Sequence, residues 1–334
     1  MRSIYKTYKT GIIKLGKDEL FYKILNEKDF NSEVVGYKAL LNHYPVPKLL
    51  SYIKINKDSY CMLFKREISV GVEKGLLVDL FASKKKLEKD FLKIIKLYRE
   101  VFLKTLNQTK YISCNIFFSD RVNGRLPKYY NKVFLNKKFS FSLNGKGVNI
   151  KLEDSIKEIQ KYFKRKIFFW SVISQCDPSD LNIAIKPIVF DYTAGGNVPI
   201  MAEFATFFWC QLFHGNYLAL KYNPKSFTNH RAIYKKIDKV IMKKDKIIHT
   251  PMKLRKEFLE MYIKEVINPC FYKIGNNYPD WFTDFKNFLA MRIIGVYNIS
   301  KMDKKDMLLS LGYLSIFYNA KDIKKPEDLL ELID

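Results

Sequence analysis

Long apolar runs are missing from this sequence, because none reaches the roughly 18 residues that a membrane-spanning helix requires. The opening stretch, MRSIYKTYKTGIIKLGKDEL, contains no apolar segment like that of a secretory signal peptide. Cysteine is scarce, with five scattered residues and neither a Cys-x-x-Cys pair nor a Cys/His pattern. A disulfide framework and a zinc site are therefore not indicated. These absences lead us to expect a soluble, cytoplasmic protein with reduced thiols.

Acidic residues are also few, since 34 Asp and Glu face 59 Lys and Arg and the formal net charge is +25. Such an excess is typical of proteins that bind nucleic acid or anionic membranes. The lysines recur almost evenly from Lys6 to Lys325, however, and compositional bias explains that dispersion at least as well as a binding surface does. What the chain does have is a length of 334 residues and 48% hydrophobic residues, enough for one large domain or two lobes.

The N-terminal part reads as short strands around one helix. The runs SIYKTY, GIIKL and LFYKIL, separated at Gly11 and Gly16, predict a small antiparallel sheet. The segment DFNSEVVGYKALLNHY predicts a helix capped by Asn31 or Ser32, with Glu33 in its first turn. Two more runs, LLSYIKIN and SYCMLFKREI, predict further strands.

Helical patterns dominate the rest of the chain. The segment LEKDFLKIIKLYREVFLKTL is strongly amphipathic, and the C-terminal third contains several similar segments. Between them, residues 105–150 are rich in Lys, Tyr and Phe and end in a predicted hairpin around Asn144 and Gly145. We therefore predict an α+β protein with an N-terminal lobe of residues 1–68, a larger mainly helical lobe of residues 69–334, and an insertion near 105–150.

The stretch SQCDPSDLNIAIKPIVFDYTAGG places three polar side chains among apolar residues. Asp177 and Asn182 are five positions apart, and Asp191 follows a short apolar run. Phosphoryl transfer needs cations held against the phosphates and a carboxylate that orients the attacking hydroxyl, and this spacing is typical of kinase-type sites. About one Asp-x4-Asn pair is expected by chance among 19 Asp and 22 Asn, so the interpretation depends on several features that occur in order.

The segment QCDPSDLNIAIKPIVFDYTAGGNVP resembles the signature of the aminoglycoside phosphotransferase and choline kinase-like family: His-x-Asp-x4-Asn, a short hairpin, then an aliphatic run into Asp-aromatic. Upstream, FYKIL resembles the third strand of that family's N-terminal lobe, and SEVVGYKALL the helix after it. PVPKLL and SYCMLFKREI are similar to the segments that follow. The resemblance covers roughly residues 10–210 and implies a bilobal, protein kinase-like fold.

On the nucleotide side, the resemblance implies roles for residues of the N-terminal lobe. Lys23 would hold the α- and β-phosphates of ATP and pair with Glu33. Backbone groups from Phe64 to Glu67 would contact the adenine.

On the catalytic side, the loop of residues 175–196 would supply the remaining groups. Asp177 would orient or accept the proton of the substrate hydroxyl, and Asn182 and Asp191 would bind Mg²⁺. The implied activity is ATP- and magnesium-dependent transfer of the γ-phosphate to a hydroxyl of a small molecule.

Three departures from the family pattern stand out. Gln175 occupies the place of the family's histidine, which implies altered support for the loop. YKTYKTGIIK offers a single glycine where a glycine-rich phosphate loop is expected. Glu203 stands where the family often has an aspartate, and we expect a structural role for it.

The acceptor stays open between a sugar, an amino alcohol and an anionic polyol. An acidic pocket for a polycation could come from Asp180, Glu203, Asp280 and Asp284. The aromatic run EFATFFWCQLF could form a cage for a quaternary ammonium, but its helical spacing favours a packed core helix.

A different class of function remains as the alternative. The chain could be a kinase-like pseudoenzyme or scaffold that binds nucleotide and an acidic partner, namely RNA, a protein or a membrane surface. The Lys-rich region 105–165 and the departures at Gln175 and in the glycine loop favour it. The presence of all the implied catalytic residues at workable spacing favours the enzyme.

Overall fold

The computed structural model describes residues 9–67, 75–83, 88–109, 120–164, 168–275 and 277–333. Its strands are β1 (Lys9–Leu15), β2 (Asp18–Asn26), β3 (Leu49–Asn56), β4 (Ser59–Lys65), β5 (Asn107–Thr109), β6 (Lys138–Leu143), β7 (Lys146–Lys151), β8 (Phe169–Ser174), β9 (Gly196–Pro199), β10 (Lys239–Lys243) and β11 (Lys246–Thr250).

The α-helices are α1 (Glu27–Leu40), α2 (Leu77–Ala82), α3 (Glu88–Thr105), α4 (Leu126–Tyr129), α5 (Lys132–Asn136), α6 (Leu152–Lys164), α7 (Ile200–Trp209), α8 (Ala219–Tyr222), α9 (Lys253–Tyr262), α10 (Asn268–Ile274), α11 (Trp281–Gly295), α12 (Lys304–Asn319) and α13 (Asp328–Glu331). Segments Asp120–Arg125, Cys210–Leu218 and Ile263–Ile267 are π-helical, and Pro224–Phe227, Arg231–Lys236 and Ile299–Lys301 are 3₁₀ turns.

The first four strands form an antiparallel sheet in the order β1-β2-β4-β3. Gly11, predicted to separate two strands, instead lies within β1 opposite Tyr22. A Cβ atom at Gly11 would lie 2.5 Å from the Tyr22 ring, so the glycine leaves room for that ring and does not break the strand. The predicted strand SIYKTY falls in residues 3–8, outside the described residues.

Helix α1 begins directly after β2, earlier than predicted. Asn26 Oδ1 accepts a hydrogen bond from the backbone N–H of Asp29 at 3.0 Å, so Asn26 caps the helix and the predicted caps, Asn31 and Ser32, lie inside it. Glu33 consequently occupies the second turn, not the first. It is 1% exposed, so it faces the protein interior and does not act at the helix terminus.

Gly36 lets α1 contact the chain just after Asp191. A Cβ atom at Gly36 would lie 1.8 Å from the carbonyl oxygen of Tyr192, a distance that no side chain can occupy. Since Gly36 follows Glu33 by three residues, about one helical turn, this close approach also brings Glu33 next to the same segment.

The C-terminal part is mainly helical and is built around α7. All ten residues of α7 are buried, and α7 packs against α11. The Phe207 ring stacks on that of Tyr262 with centroids 3.8 Å apart. The prediction that this aromatic run is a packed core helix is therefore confirmed.

A small second sheet has the order β10-β11-β6-β7, in which β6 and β11 are parallel. It contains the predicted hairpin, whose turn residues Asn144 and Gly145 have φ of 49° and 81°. The α+β fold class, with an N-terminal antiparallel sheet before a larger helical part, is confirmed. The predicted boundary at residues 68 and 69 lies outside the described residues. Within the described ranges, no helix is both long and apolar enough to span a membrane.

The contact at Gly36 gives a direct test of how the two parts of the chain meet. We expect Gly36→Ala to lower the free energy of unfolding by about 1–3 kcal/mol, because the new methyl group must displace the Tyr192 carbonyl. Gly147→Ala is the matched control: a Cβ atom there meets no atom within 4 Å, so the change should stay within about 0.5 kcal/mol. Urea denaturation measures both, and equal stability of the two variants would contradict the contact.

Candidate active site

Within the loop from Cys176 to Asp191, residues 182–190 form a short hairpin. The backbone N–H of Phe190 donates to the carbonyl of Asn182 at 2.9 Å, and Ile183 pairs with Val189 in an antiparallel bridge. Because Asp191 directly follows Phe190, the hairpin places Asp191 beside Asn182. The two residues predicted to bind metal are thus brought together by backbone pairing.

Lys23 forms the centre of a buried ionic group. Its ammonium donates to Glu33 Oε1 at 2.8 Å and to Asp191 Oδ1 at 2.9 Å. Thr193 completes the group, since its hydroxyl donates to Glu33 Oε2 at 2.6 Å and lies 3.2 Å from Asp191 Oδ1. Strand β2, helix α1 and the segment after the hairpin therefore meet through side chains that are 10 to 168 residues apart.

Electrostatics keep Lys23 and Asp191 charged. Burial lowers the pKa of Lys23, but the carboxylates of Asp191 and Glu33 outweigh burial and raise that pKa above the ordinary lysine value. Burial alone would raise the pKa of Asp191, but the charge and hydrogen bond of Lys23 lower it overall. Glu33 differs, because burial raises its pKa against the opposing charge of Lys23, so the ion pair of the group is formed by the Lys23 ammonium and the Asp191 carboxylate.

Asp177 is held between Asn182 and an arginine from α11. The amide of Asn182 donates to the Asp177 carbonyl at 3.1 Å and lies 3.4 Å from Oδ2. On the other side, Arg292 Nη1 lies 3.9 Å from Oδ1. Burial raises the pKa of Asp177, and the positive charge of Arg292 opposes that effect. About a third of the Asp177 side chain, 33%, stays exposed, so the carboxylate can be reached from solvent.

Two non-glycine residues at this site have left-handed backbone conformations. Cys176, directly before Asp177, has φ of 58°, and Asp191 has φ of 60°. Such conformations are uncommon outside glycine and concentrate at functional sites. Here they lie at or next to two of the side chains that the sequence predicts to be functional.

Of the segment predicted to contact the adenine, the structure describes residues 64–67 but not the residues that follow. Phe64 lies in β4 with its ring packed against Tyr37 and Tyr192, so its side chain belongs to the core. Glu67 is the last residue before the segment 68–74, which lies outside the described residues. The roles of the Phe64 and Glu67 backbone groups therefore stay predictions.

Sequence reasoning missed several residues that contact the predicted site. Thr193 could have been noticed, because it follows Asp191 by two positions. Arg292 could not, because it reaches the loop from 116 residues away, where its Nη2 donates to the Cys176 carbonyl at 2.6 Å. Gln175, which stands in place of the family's histidine, supports the loop through a 2.7 Å hydrogen bond from its amide to the Tyr98 hydroxyl.

The acidic residues suggested for a cationic pocket are mostly used elsewhere. Asp180 accepts from Arg255 Nη1 at 3.1 Å and is 2% exposed. Asp284 accepts from the hydroxyls of Tyr162 and Tyr278. Glu203 is fully buried near Ser174 and Cys176, and burial raises its pKa to about 8. Only Asp280 of the four is exposed.

The side chains around the loop fit a magnesium ion bound together with phosphates. The Asn182 amide nitrogen is directed at Asp177, which leaves its oxygen for a ligand, and the Asp191 side chain is 36% exposed. Hard oxygen donors from one or two side chains, completed by phosphates and water, are the usual environment of Mg²⁺. No group of three or more His, Cys, Asp or Glu that could hold a metal by itself occurs among the described residues.

The buried ionic group predicts a large effect of removing its only ammonium. Lys23→Met would leave Glu33 and Asp191 close together without a counter-charge, so we expect a loss of about 3–5 kcal/mol in the free energy of unfolding. Lys14→Met, at a 78% exposed lysine of the same sheet, should cost less than about 0.5 kcal/mol. Denaturant unfolding would show this, and adding Glu33→Gln to Lys23→Met should restore part of the loss.

Neither a protein-family model nor a curated protein matches this sequence. Solved structures do match. A thermostable mutant of the aminoglycoside phosphotransferase APH(4)-Ia, in a ternary complex with AMP-PNP and hygromycin B, aligns at 8% identity and a TM-score of 0.53, over 97% of this chain and 93% of that chain. Spectinomycin phosphotransferase APH(9)-Ia, in complex with ADP and spectinomycin, aligns at 10% identity and a TM-score of 0.42, over 95% and 92% of the two chains. The alignment with APH(4)-Ia shows that the chain has the protein kinase-like fold of that aminoglycoside phosphotransferase.

Proposed function

We propose that this protein is an ATP- and magnesium-dependent phosphotransferase that moves the γ-phosphate to a hydroxyl of a small molecule. The proposal rests mainly on the hydrogen bonds from Lys23 to Glu33 and Asp191. Asp177 and Asn182, which are also hydrogen-bonded to each other, lie in the same loop as Asp191. A structural neighbour in complex with AMP-PNP and an antibiotic supports the same reading. The five residues come from two distant parts of the chain, residues 23–33 and 177–191, and chance spacing in the sequence does not explain why they meet.

Lys23 would bind the nucleotide's phosphates in this scheme. Its ammonium is already held between two carboxylates, so little side-chain entropy remains to be lost when phosphate oxygens approach. Glu33, buried and bonded to Thr193, keeps the ammonium from turning away. Asn182 and Asp191 would hold the magnesium, which neutralises charge on the phosphate oxygens when bound.

Asp177 would act on the acceptor. Its exposed carboxylate can accept a hydrogen bond from a substrate hydroxyl and orient that oxygen towards the γ-phosphate. The Asn182 amide and Arg292 fix the carboxylate from opposite sides, so its position is set before a substrate binds. Arg292 also binds the Cys176 carbonyl and thereby positions the residue before Asp177.

Two aspartate variants separate binding from turnover. Asp191→Asn should weaken magnesium-dependent ATP binding by about tenfold or more, because it removes a charged ligand and leaves Lys23 with one carboxylate. Asp177→Asn should bind ATP normally and lose turnover by about 100-fold or more. Asp245→Asn, at an exposed residue in the β10–β11 turn, is the matched control and should match wild type.

Calorimetric titration with ATP, with and without magnesium, measures binding, and slow ATP hydrolysis measures turnover. Full turnover in Asp177→Asn would show that another group orients the nucleophile. If wild type binds no nucleotide, the phosphotransferase proposal fails and the scaffold alternative takes its place; salt-dependent binding to RNA would then be the next measurement.

The pH profile tests the ionisation of Asp177. The carboxylate must be ionised to accept a proton, so kcat/KM should fall as pH drops through its pKa, which burial raises above that of an ordinary aspartate. Arg292→Met should move this acidic limb to higher pH, because Arg292 stabilises the ionised form. Arg99→Met, at a half-exposed arginine paired with Glu265, should leave the limb in place. A limb that moves to lower pH or stays unchanged in Arg292→Met would contradict the assignment.

A further inference from the structure

Strand β3 is an edge of the N-terminal sheet and is exposed along almost its whole length. Within the part of the chain that the structure describes, β4 pairs with its inner side and no strand pairs with its outer side. Every residue from 50 to 56 is exposed. Four large apolar side chains, each about half exposed, are among them: Leu50, Tyr52, Ile53 and Ile55. Such an edge presents unpaired backbone N–H and C=O groups to a further strand.

The outer side of β3 lacks the residues that usually protect a sheet edge. Lysine and proline are the common protecting residues, because a charge or a missing N–H discourages pairing with another chain. The outer strand of the second sheet, β10, has Lys239 and Lys243 at its two ends. Strand β3, with the sequence LLSYIKIN, has one charge, at Lys54, and no proline. In a chain so rich in lysine, this unprotected edge indicates that another β-strand covers it in solution.

A second copy of β3 can supply that strand only in a few registers. A two-fold axis perpendicular to the sheet pairs a strand with its own copy in antiparallel orientation. Side chains alternate between the two faces, and this axis keeps each face on the same side, so one residue must lie opposite its own copy. The register of β3 with β4 is irregular between Leu49 and Ser51 and again between Lys54 and Asn56. Regular pairing is therefore confined to the centre of β3.

Charge and face select the residue on the axis. Lys54 on the axis would set two ammonium groups directly opposite each other, which is unfavourable. Ile53 on the axis instead sets Ile53 against its own copy, Ser51 against Ile55 of the second copy, and Tyr52 against Lys54 of the second copy.

The last of these pairs is favourable, because Tyr52 and Lys54 share the face of the sheet that packs on α1. The Tyr52 ring lies 5.2 Å from that of Phe30, and Lys54 Nζ already lies 5.5 Å from the centre of the Tyr60 ring. An ammonium beside an aromatic ring is a stabilising contact. Tyr52 on the axis would set Lys54 against Leu50 of the second copy and lose this contact. Ile53 is therefore the best centre of the pair.

We propose that two copies of this chain associate through β3 about a two-fold axis at Ile53, so that their N-terminal sheets join into one antiparallel sheet of eight strands. Main-chain hydrogen bonds between the two copies of β3 would satisfy the free backbone groups, and the paired Ile53 side chains would be removed from water. Strand β4 separates β3 from β2, which carries Lys23, so the pairing does not involve that lysine. The association goes beyond the phosphotransferase function and does not depend on it.

Sedimentation velocity over a concentration series tests the association. We expect wild type to shift from monomer to dimer as concentration rises. Ile53→Lys should weaken the dimer about tenfold or more, because it sets two ammonium groups opposite each other on the axis. Leu92→Lys, which adds the same charge at an exposed apolar residue of α3, should associate as wild type does. Since each copy has a formal net charge of +25, added salt should strengthen the dimer by screening repulsion.

Oxidative crosslinking tests the register. Ile53 lies opposite Cys61 across β3 and β4, so Cys61→Ser serves as the parent and prevents a disulfide within one chain. In this parent, Ile53→Cys should form a disulfide between two copies, because directly opposite residues of antiparallel strands have Cβ atoms about 4.5–5.5 Å apart, near the separation that a disulfide needs. Ile13→Cys, at an exposed residue of the other edge strand, β1, should crosslink no faster than the parent.

Several results would overturn the proposal. A wild type that stays monomeric up to about 100 μM, a concentration at which even weak complexes form, would leave the edge to a strand of another protein. Equal association of Ile53→Lys and wild type contradicts pairing through β3. Absence of crosslinking in Ile53→Cys, or equal crosslinking in Ile13→Cys, contradicts the register. Should Ile53→Lys fail to fold by circular dichroism, the crosslinking of Ile53→Cys decides.

Discussion

The ammonium of Lys23 is the point at which the two parts of the chain are tied together. It is 7% exposed and bonded to one carboxylate from its own lobe and to another from the far side of the catalytic loop. A charge in such a place is tolerated only when it is paired and hydrogen-bonded. The buried position of Lys23 therefore requires both Glu33 and Asp191. Those two carboxylates reach Lys23 only when helix α1 and the hairpin before Asp191 are both packed beside strand β2.

Several features of the surrounding structure bring Lys23, Glu33 and Asp191 within hydrogen-bonding distance. Gly36 removes the side chain that would keep α1 from the Tyr192 carbonyl, and the hairpin after Asn182 returns the chain so that Asp191 points back at Lys23. The left-handed backbone of Asp191 belongs to the same requirement, because the chain must turn sharply to present the carboxylate and then let Thr193 reach Glu33. Buried ion pairs of this kind add little net stability, but the loss of one partner leaves a buried charge uncompensated and is costly.

The parts of this site that the sequence could predict are those defined by short spacing. Asp177, Asn182 and Asp191 lie within one segment, and the strand and helix carrying Lys23 and Glu33 follow one another directly. Periodicity placed the helix but not its start, since Asn26 at the end of β2 supplies a cap that apolar spacing does not reveal. The prediction that Gly11 separates two strands is wrong for a related reason: Gly11 makes room for the Tyr22 ring across the strand pair, and a cross-strand contact has no local signature.

Arg292 could not be predicted because nothing in its own segment marks it. Arg292 becomes significant only when α11 packs on α7 and lays its guanidinium against the carbonyl of Cys176. That packing also brings the Arg292 guanidinium near one carboxylate oxygen of Asp177, while the Asn182 amide lies near the other. The Asp177 carboxylate is therefore oriented by an amide from its own segment and by a guanidinium from a helix remote in sequence, and spacing along the chain reveals only the first of these contacts.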